Sequence, residues 1–248
     1  MPDSELVPPI PEPPGSARGS FSSQLAETTG ELVRLASRTT EAVRAATAAL
    51  LSGDLKAAER VIQDDRLIDE DKERIEFRVY EMFVLQQPMA GDLRTLIAML
   101  RIIHELQLVA DLTVSIAKAT RRLYPAELPP RARGLLEQMG TQAAIQMNVS
   151  IDAFADRNVA IASALSDMDD VMDDLQKDLF RVIFSTCGRD GHGLEQAVQL
   201  ALLGRFYERI ADHAVLIGAW TRFMVTGDFP SRIEEPPQTD ASTSSHPS

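Results

Sequence analysis

The 248-residue chain has one cysteine, 5% aromatic residues and no apolar run free of charge for the length of a bilayer. Each shortage excludes something. A lone thiol, Cys187, forbids an intrachain disulfide and suits a reducing compartment. The stretch Leu194 to Trp220 is broken by Glu195, Arg205, Glu208, Arg209 and Asp212, so it does not read as a membrane span. The amino terminus lacks the basic-then-apolar order of a secretory signal, and a cytoplasmic location is expected. Basic residues are also short, 25 against 37 acidic ones, for a net charge of −12. That surface repels phosphate backbones and anionic lipid, so neither nucleic acid nor membrane insertion is expected. Alternating apolar and polar runs are missing too, and no strand is expected.

What is present has helical period. Residues 1–20, with six prolines, and residues 230–248 read as disordered tails. A first helix is expected from about Ser22 to Leu51, with Leu25, Leu32, Leu35, Ala36 and Val43 on one stripe. Ser52-Gly53 stops it, and Asp54 caps a second helix that runs to Pro88. A third spans Met89 to Leu123. The proline-rich segment 125–130 then divides two units, 21–124 and 131–229. The second unit repeats the plan: Arg131 to Asp156, Val159 to Phe184 and Leu194 to Val225, with a glycine-rich loop, Thr186 to Gly193, before the last helix. Met82, Met89, Met99, Met139 and Met147 read as core filler. The expected fold is all-α: two tandem, pseudo-symmetric antiparallel three-helix bundles.

The two units share more than a plan. Asp54, Asp65, Asp69 and Ile75 recur as Asn158, Asp169, Asp173 and Leu179, a constant offset of 104. Gln107-Leu-Val-Ala-Asp111 recurs as Glu208-Arg-Ile-Ala-Asp212, offset by 101. Acids four apart share one helix face, where like charges cost stability. Two readings stay open. Glu208 and Asp212 form a solvated face paired with Arg205 and Arg209, or they bind a cation with Asp169 and Asp173 from the preceding helix. His213 lies about 100° round the helix from Asp212 and reads as structural or capping. His104 belongs to no catalytic set, His192 reads as exposed, and Cys187 lacks the basic neighbours that activate a thiol.

Leu85-Gln-Gln-Pro-Met-Ala-Gly-Asp-Leu-Arg94 and Tyr207-Glu-Arg-Ile-Ala-Asp-His-Ala214, within a duplicated helical chain, resemble the PhoU family from about Phe21 to Gly227. That family comprises cytoplasmic regulators of phosphate uptake and of the phosphate-starvation response. The resemblance implies an acidic E/D-x-x-x-D metal signature in each half. Glu208 and Asp212 match it fully; Gln107 and Asp111 have lost one carboxylate to an amide. The candidate metal residues are therefore Glu208, Asp212 and Asp111 from the signature, with Asp169 and Asp173 of the preceding helix completing the shell if the two helices pack together, and Asp65, Asp69 and Gln107 as weaker members. An oxygen set without the Cys and His of structural zinc suits Fe, Mn, Mg or Ca.

By the same resemblance the partners are a phosphate ABC transporter ATPase and a sensor histidine kinase, with negative regulation of phosphate transport as the outcome. The turn around Gln86 to Pro88 could present Asp92 and Arg94 to a partner. A homodimer is expected, and no enzymatic activity. The alternatives are a metal-binding helical scaffold or a metal-dependent enzyme. The Glu-x-x-His motif of di-iron bundles is absent: Glu73 is followed three residues on by Glu76, and Glu208 by Ala211. Gly188 to Gly193 lacks the lysine ending of a phosphate loop.

Overall fold

A computed structural model describes residues 14–86, 88–186 and 191–230. The expected tails at 1–13 and 231–248, and Cys187, lie outside them. Six helices follow in order: α1 Pro14–Ser52, α2 Leu55–Gln86, α3 Gly91–Leu123, α4 Pro130–Ala155, α5 Val159–Thr186 and α6 Gly191–Thr226. No strand occurs among the described residues, and none of their helices is long and apolar enough to cross a membrane.

The caps are those the residue types favour. Asp54 Oδ1 accepts from the backbone N–H groups of Lys56 and Ala57 at 2.9 and 3.0 Å. Asn158 Oδ1 does the same for Ala160 and Ile161 at 3.0 and 3.2 Å, so the duplication preserves the cap. Just before each cap the chain turns through positive φ, at Gly53 (66°) and at Arg157 (52°).

Three boundaries differ from expectation. Helix α1 takes in residues 14–20, which the proline content had assigned to the tail. Proline at the first helical position loses no hydrogen bond, and buried Phe21 and Leu25 hold the turns that follow. Helix α3 starts at Gly91, leaving Met89 in the turn and 79% exposed rather than in the core; the other four methionines named above are buried. Helix α6 begins at Gly191, so Gly191, His192 and Gly193 are helical rather than looped. A glycine costs a helix only about 1 kcal/mol, which packing of the later turns overrides.

Helices α1–α3 form one bundle and α4–α6 the other; α3 packs on α6 and α1 on α4 to join them, while α2 and α5 each pack only within their own bundle. Helices α3 and α6 run antiparallel. Gly227, at the end of α6, sits beside Arg94 at the start of α3, and Gln196 near the start of α6 donates to Glu127 O at 3.0 Å, past the end of α3. One continuous core runs through both bundles, from Leu32, Leu35 and Val43 through Ile102, Leu106 and Ile116 to Leu203, Tyr207 and Ile217.

Helix α6 approaches α5 unusually closely. A Cβ on Gly218 would lie 2.6 Å from Leu165 Cδ1 and 2.9 Å from the Ala162 carbonyl oxygen. Leucine can rotate away, but the carbonyl belongs to the α5 backbone. Gly218→Ala is therefore expected to destabilise the chain by about 2 kcal/mol despite alanine's better helix propensity. Urea unfolding would show it, and an unchanged midpoint would mean that α5 can shift.

Candidate functional site

The helical repeat places Asp169 and Asp173 on one face of α5, and Glu208 and Asp212 on one face of α6. The two helices are packed neighbours, so the four acids come within electrostatic reach of each other. Burial raises the Glu208 carboxyl to about 7, with the Asp212 charge adding to the effect and Arg205 opposing it. Burial likewise raises Asp169 to about 6, aided by Asp212 and opposed by a hydrogen bond from Gln146. Asp212 is also raised, chiefly by burial, against the pull of Arg205. Asp173 stays exposed.

The two oxygens of Glu208 differ in their surroundings. Arg205 pairs with its Oε1 one turn away, while its Oε2 is buried with no hydrogen-bond partner. On the far side, Gln146 of α4 is fully buried; its Nε2 donates to Asp169 Oδ1 at 3.5 Å and its Oε1 has no partner. As placed, the acids stand close without closing on a point: among the described residues no three His, Cys, Asp or Glu side chains are gathered to hold a metal ion. The second half thus holds two buried oxygens without a hydrogen-bond partner, Glu208 Oε2 and Gln146 Oε1, beside its acids.

The first half is weaker. Asp65 and Asp69 lie on α2, Gln107 and Asp111 on α3. Burial raises Asp65, and the Asp69 and Asp111 charges add to this, but Lys118 pulls it back. Asp111 is exposed, and Gln107 Oε1 is buried without a partner. The structure thus puts the second-half acids within electrostatic reach of one another, while in the first half the exposed Lys118 offsets the charges acting on Asp65.

Sequence reasoning missed three participants. Gln146 and Lys118 carried no motif. Glu105, the neighbour of His104 in the sequence, is 7% exposed and meets buried His213: Nδ1 to Oε2 is 2.7 Å, across the α3–α6 contact. His213 therefore joins the two bundles rather than the acidic cluster. The signal available beforehand was the odd apolarity of the repeat-related positions, Leu112 and Phe206.

The raised acids have a consequence for stability. A carboxyl whose folded value lies above its unfolded one holds its proton more tightly in the folded state. Ionising it therefore costs stability as pH rises from the ordinary carboxylate range, near 4, to about 7. Solvent screening at these partly exposed groups leaves on the order of 1–2 kcal/mol. Metal-free protein is expected to melt several degrees lower at pH 8 than at pH 5, and Glu208→Gln to flatten that slope. A melting temperature that does not fall over this range in the unsubstituted chain would rule out the frustrated cluster.

The PhoU domain family matches this chain twice, at residues 32–120 and 136–221, one match per bundle. The phosphate-specific transport system accessory protein PhoU homolog 1 of Mycobacterium tuberculosis is 38% identical over 88% of this chain and 98% of its own length. Homolog 2 of the same organism is 36% identical over 84% of this chain and 96% of its own. The crystal structure of PhoU from Pseudomonas aeruginosa superposes with a TM-score of 0.79 at 23% identity, over 84% of this chain and all of that one. The phosphate transport system regulatory protein PhoU of Streptococcus pneumoniae gives 0.78 at 24%, over 85% and 99%. At such identities the two crystal structures speak for the fold. Twin family matches, one on each three-helix bundle, together with near full-length relatives, establish that this chain belongs to the PhoU family.

Proposed function

We propose that the chain is a cytoplasmic regulator of phosphate uptake that acts by binding rather than by catalysis. It contacts a phosphate ABC transporter ATPase, a sensor histidine kinase, or both, and keeps uptake and the phosphate-starvation response low when phosphate is plentiful. The observation that carries this is the 38% identity, over 218 residues, to a protein named as an accessory of the phosphate-specific transport system. The acidic face between α5 and α6 would take a hard cation, Fe, Mn, Mg or Ca, through Glu208, Asp212 and Asp169, with Asp173 at its rim. Bound there, the cation would neutralise the cluster and stiffen α5 against α6, and so set the acidic surface offered to a partner.

The test is genetic. Deleting the gene should leave phosphate uptake and a starvation-response reporter active in phosphate-rich medium, and the intact gene should restore control. Uptake and reporter both unchanged by the deletion would overturn the reading. A pull-down recovering neither the transporter ATPase nor the kinase would remove the proposed mechanism.

A further inference from the structure

The two halves share one plan but close the seam between their first two helices differently. In the second half two glutamines of α4 bridge to α5. Gln142 Nε2 donates to the Met168 carbonyl at 3.1 Å, and Gln146 Nε2 donates to Asp169 Oδ1 at 3.5 Å. The offset that relates Asp54 to Asn158 puts Arg38 and Ala42 of α1 at the matching positions, and Ala45 where the second half has Val149. An alanine methyl makes no such bridge, and Arg38 turns instead to Asp71 at 2.7 Å.

At this place the first half has a cavity of about 300 Å³, bounded by α1, α2 and α3. Its walls are Ala42, Ala45, Val61, Ile68, Ala110 and Val114, so hydrocarbon lines most of it. Leu67, one of the large apolar side chains left exposed, stands beside it. Unfilled apolar space costs stability, and the second half shows that this fold can put a glutamine and a valine there. The volume lies at the lower end of ligand pockets, roughly 300–1,000 Å³, and suits a single large side chain.

Charge indicates what accompanies that side chain. Glu41, Asp64 and Asp65 line the cavity against Arg38 alone. Arg38 is engaged by Asp71, Glu41 by Arg44, and Lys118 acts on Asp65. Asp64 is exposed and forms no ion pair among the described residues. An apolar group with a positive charge beside it therefore meets both wall and rim, and the net charge of −12 draws it in from a distance.

Resting on the binding role proposed above, we propose that this first-half cavity is the docking point for a protein partner. The partner inserts one large apolar side chain, leucine to tryptophan in size, next to a lysine or arginine that pairs with Asp64. A partner helix laid along the α1–α2 seam supplies both, with the basic residue one turn from the anchor. An apolar anchor in a water-excluding pocket is the common form of an interface hot spot. In the second half Gln146, fully buried, takes the corresponding place.

The test uses full-length protein isotope-labelled at its alanine methyls. It is titrated with tryptophanamide, an indole beside a positive charge, and with N-acetyltryptophan, the same ring beside a negative one. The purified transporter ATPase and the purified cytoplasmic part of the sensor kinase are titrated against it by interferometry. The Ala110 methyl resonance is expected to move with tryptophanamide and to stay still with N-acetyltryptophan. Ala42→Gln/Ala45→Val installs the second-half residues and is expected to abolish that shift; Ala45→Val alone serves should the pair pack poorly. This filled variant and Asp64→Lys are each expected to weaken ATPase or kinase binding by about tenfold or more. No Ala110 shift in the unsubstituted chain, or equal shifts with both probes, overturns the site and leaves the proposed function standing. Partner affinity unchanged in the filled variant overturns the anchor, and unchanged affinity in Asp64→Lys overturns its basic neighbour. Unsubstituted protein that binds neither ATPase nor kinase sinks the adaptor mechanism and this docking point together.

Discussion

Tyr207→Ala is expected to lower stability by about 4 kcal/mol, the cost of truncating a wholly buried aromatic side chain. For a chain of this size that is a fall of roughly 10 °C in melting temperature. The ring lies in the continuous core, and its hydroxyl meets Thr47 Oγ1 of α1 at 2.9 Å. Thr47 Oγ1 already donates to the Val43 carbonyl at 2.8 Å, so the tyrosine is the donor in this pair. Burial pushes the phenol far above its usual value, and it stays protonated. Tyr207→Phe keeps the ring and loses one hydrogen bond, a cost of about 1 kcal/mol. Tyr207 immediately precedes Glu208, so the same turn of α6 that grips α1 also carries the acid. Alanine should loosen that acid's placement, while phenylalanine should not. Urea melts of both variants check this; a Tyr207→Ala protein within 1 kcal/mol of wild type would show that the ring's space can collapse.

Glu105→Leu is expected to cost about 3 kcal/mol. It removes one member of a buried pair at 2.7 Å and leaves His213 with neither ring nitrogen satisfied, since Nε2 already lacks a partner. His213→Leu should cost a similar amount by stranding the carboxyl. The double variant should recover most of the loss. The repeat itself argues for this, because the related positions are Leu112 and Phe206 and the bundle accommodates them. A double-mutant cycle measures the coupling directly. Additive losses, with no recovery in the double variant, would mean that each residue acts through separate neighbours.

Much of the fold could be read in advance because its signals are local. The capping carboxylate of Asp54, the amide of Asn158, the proline-rich division at 125–130 and the helical stripes through Leu32 and Val43 each act within a turn or two of themselves. Offsets of 104 and 101 then supplied the pseudo-symmetry that single helices cannot reveal. The acidic cluster was legible for the same reason, since spacing by four survives in any helix. Gln146 was not. Its contact with Asp169 depends on how α4 lies on α5, and helical period fixes a face without fixing a neighbour. The Glu105–His213 pair spans 108 positions and breaks the repeat, so looking for what the halves share was bound to pass over it. Met89 shows the opposite error: an apolar residue read as buried because its type favours the interior, when a later helix start leaves it in the turn.

A chain made of two kindred parts carries a hazard of mistaken pairing, in which a helix of one molecule docks on its own counterpart in another. Glu105 and His213 bear on that hazard. Were α3 to join a second α3 in the register it keeps with α6, each buried carboxyl would face Leu112; were α6 to join α6, each imidazole would face Phe206. Either exchange strands two polar groups in hydrocarbon, whereas the proper union strands none of these carboxyls. A single acid–base contact, present on one side of the pseudo-dyad and missing on the other, thereby tells the halves apart and rewards the chain for closing on itself.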